Sequence, residues 1–80
     1  MLTMYSTPWC GYCYRLASQL DREGITYEVI NIEQDAAAAE LVRGVNGGNR
    51  TVPTVRFDDG SVLTNPSLKQ VKEKLASLTV

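Results

Sequence analysis

Histidine is absent from this 80-residue chain, and cysteine occurs only twice. A closed four-ligand zinc site of the Cys/His kind therefore cannot form within one chain. A hydrolase triad with histidine as base is excluded, as is all histidine-based acid–base catalysis. No apolar run approaches the roughly 18 residues of a membrane-spanning helix. Basic charge is not in excess either: Lys plus Arg number 8 against 9 for Asp plus Glu, a net charge of −1. That balance argues against a nucleic-acid partner, which would require a basic surface. The opening Met1-Leu2-Thr3-Met4-Tyr5-Ser6 has neither a basic start nor a long apolar stretch. No signal peptide and no membrane partner are therefore expected, and the expected compartment is the cytoplasm. Whatever chemistry this chain performs must use sulfur, carboxylates, hydroxyls or backbone.

The length predicts one small domain over residues 1–80, with a thin stability margin. Apolar residues at 44% and charged residues at 21% are ordinary for a globular chain and exclude a disordered one. Residues 2–6 read as a short strand ending at Thr7-Pro8. Residues 12–23 read as a helix with Leu16, Ala17 and Leu20 on one face and Gly24 as its stop. The β-branched residues of 25–32 predict a second strand. Asp35 is placed to cap a helix over 36–42, whose Ala36-Ala37-Ala38-Ala39 suits close packing. The three glycines in residues 44–49 predict a loop, with Gly47 and Gly48 allowing its turn. Residues 54–57 and 61–64 predict two short strands joined at Asp58-Asp59-Gly60, a strong hairpin signal. Asn65 and Pro66 suit the cap and first position of a last helix, which carries Leu68, Val71, Leu75 and Leu78 on one face. The order β-α-β-α-β-β-α implies an α/β fold with a mixed four-stranded sheet.

The chemistry-bearing motif is Cys10-Gly11-Tyr12-Cys13, between the first strand and the first helix. Beside a βαβ unit this placement reads as a redox dithiol. Cys10 is expected at the helix N-terminus, where free N–H groups and the helix dipole favour a thiolate. Cys13 lies one turn on along the same face and is expected to be more covered, so that its thiol stays protonated longer. If the pKa of Cys10 fell from about 8.5 to about 6.5, the thiolate fraction at pH 7 would rise roughly 25-fold. Intrinsic nucleophilicity would fall about 8-fold, leaving a net gain of only about threefold in attack. The larger benefit comes when Cys10 departs as a leaving group, so the site suits turnover through a mixed disulfide. Two other readings of the pair stay open: a buried structural pair, and half of a zinc or iron–sulfur site shared between two chains. Haem attachment needs histidine after the second cysteine, where this chain has Tyr14.

Thr51-Val52-Pro53 is a second signal. Read from the residues alone, Pro53 suits a trans bond opening an edge strand. Taken with the dithiol, the pair resembles the glutaredoxin family of the thioredoxin fold, in which a Cys-x-Tyr-Cys motif faces a Thr-Val-Pro segment with a cis proline. Tyr5-Ser6-Thr7-Pro8-Trp9-Cys10-Gly11-Tyr12-Cys13 and Val45-Asn46-Gly47-Gly48-Asn49-Arg50-Thr51-Val52-Pro53-Thr54-Val55 are similar to the actinobacterial branch of that family, which serves mycothiol. The resemblance covers nearly the whole chain. It implies a thioredoxin/glutaredoxin-like fold with Pro53 beside Cys10. Val52 would offer its backbone to the substrate as an added strand. It further implies an enzyme that reduces mixed disulfides between proteins and mycothiol, with mycothiol as co-substrate, no tightly bound cofactor, and a monomer.

The chain departs from glutathione-using members where the last helix begins. Many of those carry a Gly-Gly-x-Asp-like stretch that holds the γ-glutamyl group. Here the corresponding residues are Leu63-Thr64-Asn65-Pro66-Ser67, with no Asp for an ammonium and one N–H donor lost at Pro66. Mycothiol, an acetylated cysteine on an amino-sugar and inositol, has no γ-glutamyl zwitterion to bind.

Trp9 is expected either to meet a partner or to cap the edge of the core, and Tyr12 to face substrate. Arg15 and Arg50 read as surface charges, and Tyr5 and Tyr27 as packing residues. The expected site is thus Cys10 and Cys13, with Trp9, Tyr12, Thr51, Val52 and Pro53 around them. A thioredoxin-like electron donor to ribonucleotide reductase usually carries Gln where this chain has Tyr12. An iron–sulfur-binding dimer is the remaining alternative.

Overall fold

A computed structural model describes residues 2–78. Met1, at the start of the segment read for a leader, and residues 79–80 of the expected domain lie outside the described residues. The elements follow the expected order: β1 (Leu2–Ser6), α1 (Gly11–Arg22), β2 (Tyr27–Asn31), α2 (Ala36–Val45), β3 (Thr54–Arg56), β4 (Val62–Thr64) and α3 (Leu68–Leu78). The strands form one mixed sheet in the order β2-β1-β3-β4. β1 runs parallel to β2, with Leu2 opposite Tyr27 and Ser6 opposite Asn31. β3 is antiparallel to β1, with Val55 opposite Met4, and antiparallel to β4, with Leu63 opposite Val55.

Alternation along β1 sends successive side chains to opposite faces of the sheet. Leu2 and Met4 join Leu16 and Leu20 of α1, Val55, Phe57 and Val71 of α3 in one buried cluster. Tyr5 belongs to a second cluster with Ile32 and Ala38, Ala39 and Val42 of α2. Two helices thus cover one face of the sheet and one helix the other. Of the alanine run, Ala38 and Ala39 are buried in the second cluster, while Ala36 and Ala37 are exposed. Tyr5 is buried, and the half-buried Tyr27 donates its hydroxyl to the Ala17 carbonyl at 3.3 Å and to Asp21 at 2.9 Å.

Several boundaries differ from the expectation, each for a local reason. α1 ends in a Schellman arrangement, with Gly24 at φ 68°, its N–H on the Asp21 carbonyl and the Ile25 N–H on the Leu20 carbonyl. Ile25 is therefore spent on the helix exit, and the strand begins only at Tyr27. α2 runs past Gly44 to Val45, because Asn46 closes it with both its N–H and its side chain on the Val42 carbonyl. Gly47 and Gly48 then turn the chain at φ 64° and 97°. Gly60 takes φ 86° in the hairpin, as the Asp-Gly pair predicts.

The start of α3 is a correction. Asn65 and Pro66 do not cap it. Asn65 adopts φ 46° and donates its N–H to the Pro53 carbonyl at 2.7 Å. The cap is instead reciprocal: Gln70 N–H donates to Ser67 Oγ at 3.2 Å, and Ser67 N–H to Gln70 Oε1 at 2.8 Å. Leu78, expected on the buried face, is 38% exposed at the last position of α3. Among the described residues no helix is long and apolar enough to cross a membrane.

Candidate active site

β1 carries the chain to Thr7-Pro8, and α1 starts at Gly11 with Cys10 as its cap residue in extended geometry, φ −88° and ψ 104°. Cys10 Sγ accepts the N–H of Cys13 at 3.1 Å. The sulfur therefore sits where a Ser or Asp side chain would cap a helix, on a free N–H of the first turn. No acidic residue shares that turn to oppose negative charge on the sulfur. Cys10 and Cys13 are joined as a disulfide across a Cα–Cα distance of 5.3 Å, inside the range such bridges need. The expected difference in cover between them is almost absent: Cys10 is 6% and Cys13 4% exposed. In the closed pair each sulfur shields the other.

The loop before Cys10 is fixed from both sides. Cys10 N–H reaches the Thr7 carbonyl at 3.3 Å, and the Tyr14 hydroxyl donates to the Pro8 carbonyl at 2.7 Å. Trp9 does not cap the core. It is 72% exposed, and its indole N–H donates to Glu33 at 3.1 Å. Tyr12 is 68% exposed and lines a groove of about 320 Å³ with Arg15, Asn65, Pro66, Ser67 and Gln70. The groove joins the motif end of α1 to the start of α3.

Thr51 and Val52 are half-buried and Pro53 is buried. The Val52–Pro53 bond is cis. The trans bond on an edge strand suggested by the residues alone is thereby corrected: β3 lies between β1 and β4, and Pro53 sits just ahead of it. The segment is held by residues that sequence reasoning missed. Asn46 Nδ2 donates to Thr54 Oγ1 at 3.2 Å, and Thr54 Oγ1 donates to the Thr51 carbonyl at 2.7 Å. The Thr64 hydroxyl donates to Asn46 Oδ1, linking β4 to the same side chain. Only the fully buried position of Thr54 hints at such a role in a strand, and burial is not written in the sequence. Arg50 lies exposed, as expected. Among the described residues no group of three or more His, Cys, Asp or Glu is placed to hold a metal ion.

A cysteine pair at the N-terminus of the first helix, on a mixed four-stranded sheet with a cis proline ahead of β3, defines a thiol–disulfide oxidoreductase of the thioredoxin fold. The glutaredoxin family model matches residues 2–62, and the chain belongs to the glutaredoxin family. It is 58% identical over 77 residues to a glutaredoxin-designated protein of Mycobacterium tuberculosis, covering 96% of this chain and 92% of that one. It is 47% identical over 77 residues to mycoredoxin 1 of Corynebacterium glutamicum, covering 96% and 95%. Among solved structures, the glutaredoxin of Archaeoglobus fulgidus superposes with a TM-score of 0.75 at 29% identity, over 92% of this chain and 84% of that one.

Proposed function

We propose that the chain acts as one domain over residues 1–80, a cytoplasmic monomer that removes mycothiol from proteins. Cys10 thiolate attacks the mixed disulfide between a protein and mycothiol. The protein sulfur leaves as thiolate and takes up a proton, and a Cys10–mycothiol disulfide remains. Free mycothiol then attacks that adduct, giving mycothiol disulfide and regenerating Cys10 thiolate. Cys13 offers an internal route, displacing mycothiol to close the Cys10–Cys13 disulfide. Trp9 and Tyr12 flank the incoming disulfide, and Thr51, Val52 and Pro53 present their backbone to it as an added strand.

The observation that carries the choice of thiol is the start of α3. Residues 63–67 hold no acidic side chain for an ammonium, and Pro66 removes a donor for a carboxylate. The groove there is lined instead by Tyr12, Arg15, Gln19, Ser67 and Gln70, groups suited to hydroxyls and a sugar ring. The likeness to mycoredoxin 1 supports the same reading.

One test peptide, prepared as its mycothiol and its glutathione mixed disulfide and given excess matching thiol, tests the reading. Faster release from the mycothiol form is expected. Equal rates, or preference for glutathione, would remove mycothiol from the assignment and leave the glutaredoxin chemistry. In the same assay Cys13→Ser is expected to retain activity and Cys10→Ser to lose it.

A further inference from the structure

Thr7 Oγ1 is, among the described residues, the single buried side-chain polar atom with no hydrogen-bond partner. Thr7 is 5% exposed and directly precedes Pro8 at the end of β1. A buried hydroxyl without a partner costs free energy, and such a group in an otherwise satisfied fold calls for an explanation. Thr7 shares a solvent-open cavity of about 290 Å³ with Met4, Ser6, Cys13, Ala17 and Val29, between α1 and the β1–β2 side of the sheet. Cys13 thus faces the dithiol partner on one side and this cavity on the other.

With the disulfide closed, Cys13 Sγ is bonded to Cys10 and is a poor acceptor. Reduction breaks the S–S bond with two electrons and two protons from a dithiol or from two thiols. Cys13 then carries a thiol or thiolate, and a thiolate is a strong acceptor for a hydroxyl. The cavity leaves its sulfur room to turn away from Cys10.

We propose that Thr7 is a positioning residue for the reduced enzyme, its hydroxyl donating to Cys13 Sγ once the disulfide opens. The contact exists in one redox state only. The oxidised form bears the unpaired hydroxyl and the reduced form gains a bond, and both effects favour reduction. Thr7 therefore raises the reduction potential of the pair. It acts through Cys13, on the internal route of turnover and not on the attack by Cys10.

The test equilibrates the intact protein with a dithiothreitol redox buffer and traps thiols by alkylation. Thr7→Val, which replaces the hydroxyl by a methyl group, is expected to shift the equilibrium on the order of fivefold toward the disulfide. At 29.6 mV per decade that is about 20 mV lower in potential. Thr7→Ser, which keeps a hydroxyl, is expected to stay within about twofold of the parent. Thr7→Ala carries the same expectation as the valine variant and replaces it should that variant not fold. A second readout follows Cys13 thiolate absorbance against pH in a Cys10→Ser background, where loss of the hydroxyl is expected to move the midpoint upward. An unchanged potential in Thr7→Val and Thr7→Ala overturns the proposal and assigns the hydroxyl to a water in the cavity. An equal shift in Thr7→Ser overturns it in favour of packing. A shifted potential with an unmoved Cys13 titration overturns the contact with Cys13.

Discussion

Replacing Asn46 by alanine cuts three elements loose from one another. The side chain donates to the Val42 carbonyl at 2.9 Å and to Thr54 Oγ1 at 3.2 Å, and accepts from the Thr64 hydroxyl. It thereby ties the end of α2 to β3 and to β4. Three hydrogen bonds at about 1 kcal/mol each give an upper figure of about 3 kcal/mol. Asn46 is only half-buried, so water reclaims part of this. A net loss of about 2 kcal/mol is expected, which for a domain of this size lowers Tm by roughly 8–16 °C. The functional consequence runs through Thr54, whose hydroxyl also holds the Thr51 carbonyl. Without Asn46 the Thr51–Pro53 segment loses its anchor, and kcat/KM toward a mixed disulfide is expected to fall about tenfold. A double-mutant cycle separates the anchor from general stability. Thr54→Val removes the same link from its other side, so the two losses should overlap by at least about 0.5 kcal/mol when combined. Thermal or urea unfolding of the two single variants and the double variant gives the number. Strict additivity would refute the idea that Asn46 and Thr54 act as one unit.

Three further outcomes are expected. Ser67→Ala removes the acceptor of the reciprocal cap on α3 and should cost about 1 kcal/mol in urea unfolding; Asn65→Gly, which removes the side chain and suits the φ of 46° there, removes no cap to α3, and an equal cost would return the cap to Asn65. Burial raises the pKa of the Tyr27 phenol, and the hydrogen bond to Asp21 and that carboxylate's charge add to it. A raised folded value means its contribution is complete below the unfolded pKa of about 10 and is lost as pH rises through the folded one; unfolding of Tyr27→Phe against pH should therefore lose less stability than the parent on the alkaline side. The Asp59 carboxyl is held below its usual range, first by the Ser61 hydroxyl, then by the Ser61 N–H, with Lys74 adding to both. Its contribution is present above the unfolded pKa of about 3.9 and is lost as pH falls through the folded value; the advantage of the parent over Asp59→Asn should hold at neutral pH and shrink in acid, and a constant difference would refute the assignment.

The features legible in the sequence are those encoded by neighbours. Cys10 reaches its cap position because β1 ends at a Thr-Pro step and a helix begins within a few residues, all of it written between positions 2 and 16. Gly24 and Gly60 mark their turns because each needs a positive φ that few other residues adopt. The illegible features are those decided across the fold. At the start of α3 the sequence reads Asn65-Pro66 as the cap, while the structure uses Ser67 with Gln70. What selects between them is the Pro53 carbonyl, 12 residues before Asn65 and brought to its N–H only by the pairing of β3 with β4. Asn46 reads as a loop residue because its partners lie 8 and 18 positions away. The unpartnered state of Thr7 is likewise invisible in sequence, where a threonine beside a proline signals only a turn.

These two kinds of legibility follow the two halves of the site. The dithiol rides on α1, whose buried Leu16 and Leu20 lock it to the first core cluster. The proline segment rests on the second, against which Val52 packs, and on the polar link through Asn46. One half is set by apolar packing on one face of the sheet, the other by hydrogen bonds and packing at the opposite face. In a chain of 80 residues neither cluster alone supplies a large core. The sheet is the shared member: β1 leads into the dithiol, β3 follows the proline, and the two strands pair directly from Thr3 with Arg56 to Tyr5 with Thr54. That register brings the end of β1 and the start of β3 to the same end of the sheet. A one-residue slip would send Met4 and Val55 out of the core and separate the sulfur from the proline segment. Stability and the placement of the sulfur relative to the proline segment are therefore one constraint on the β1–β3 pair.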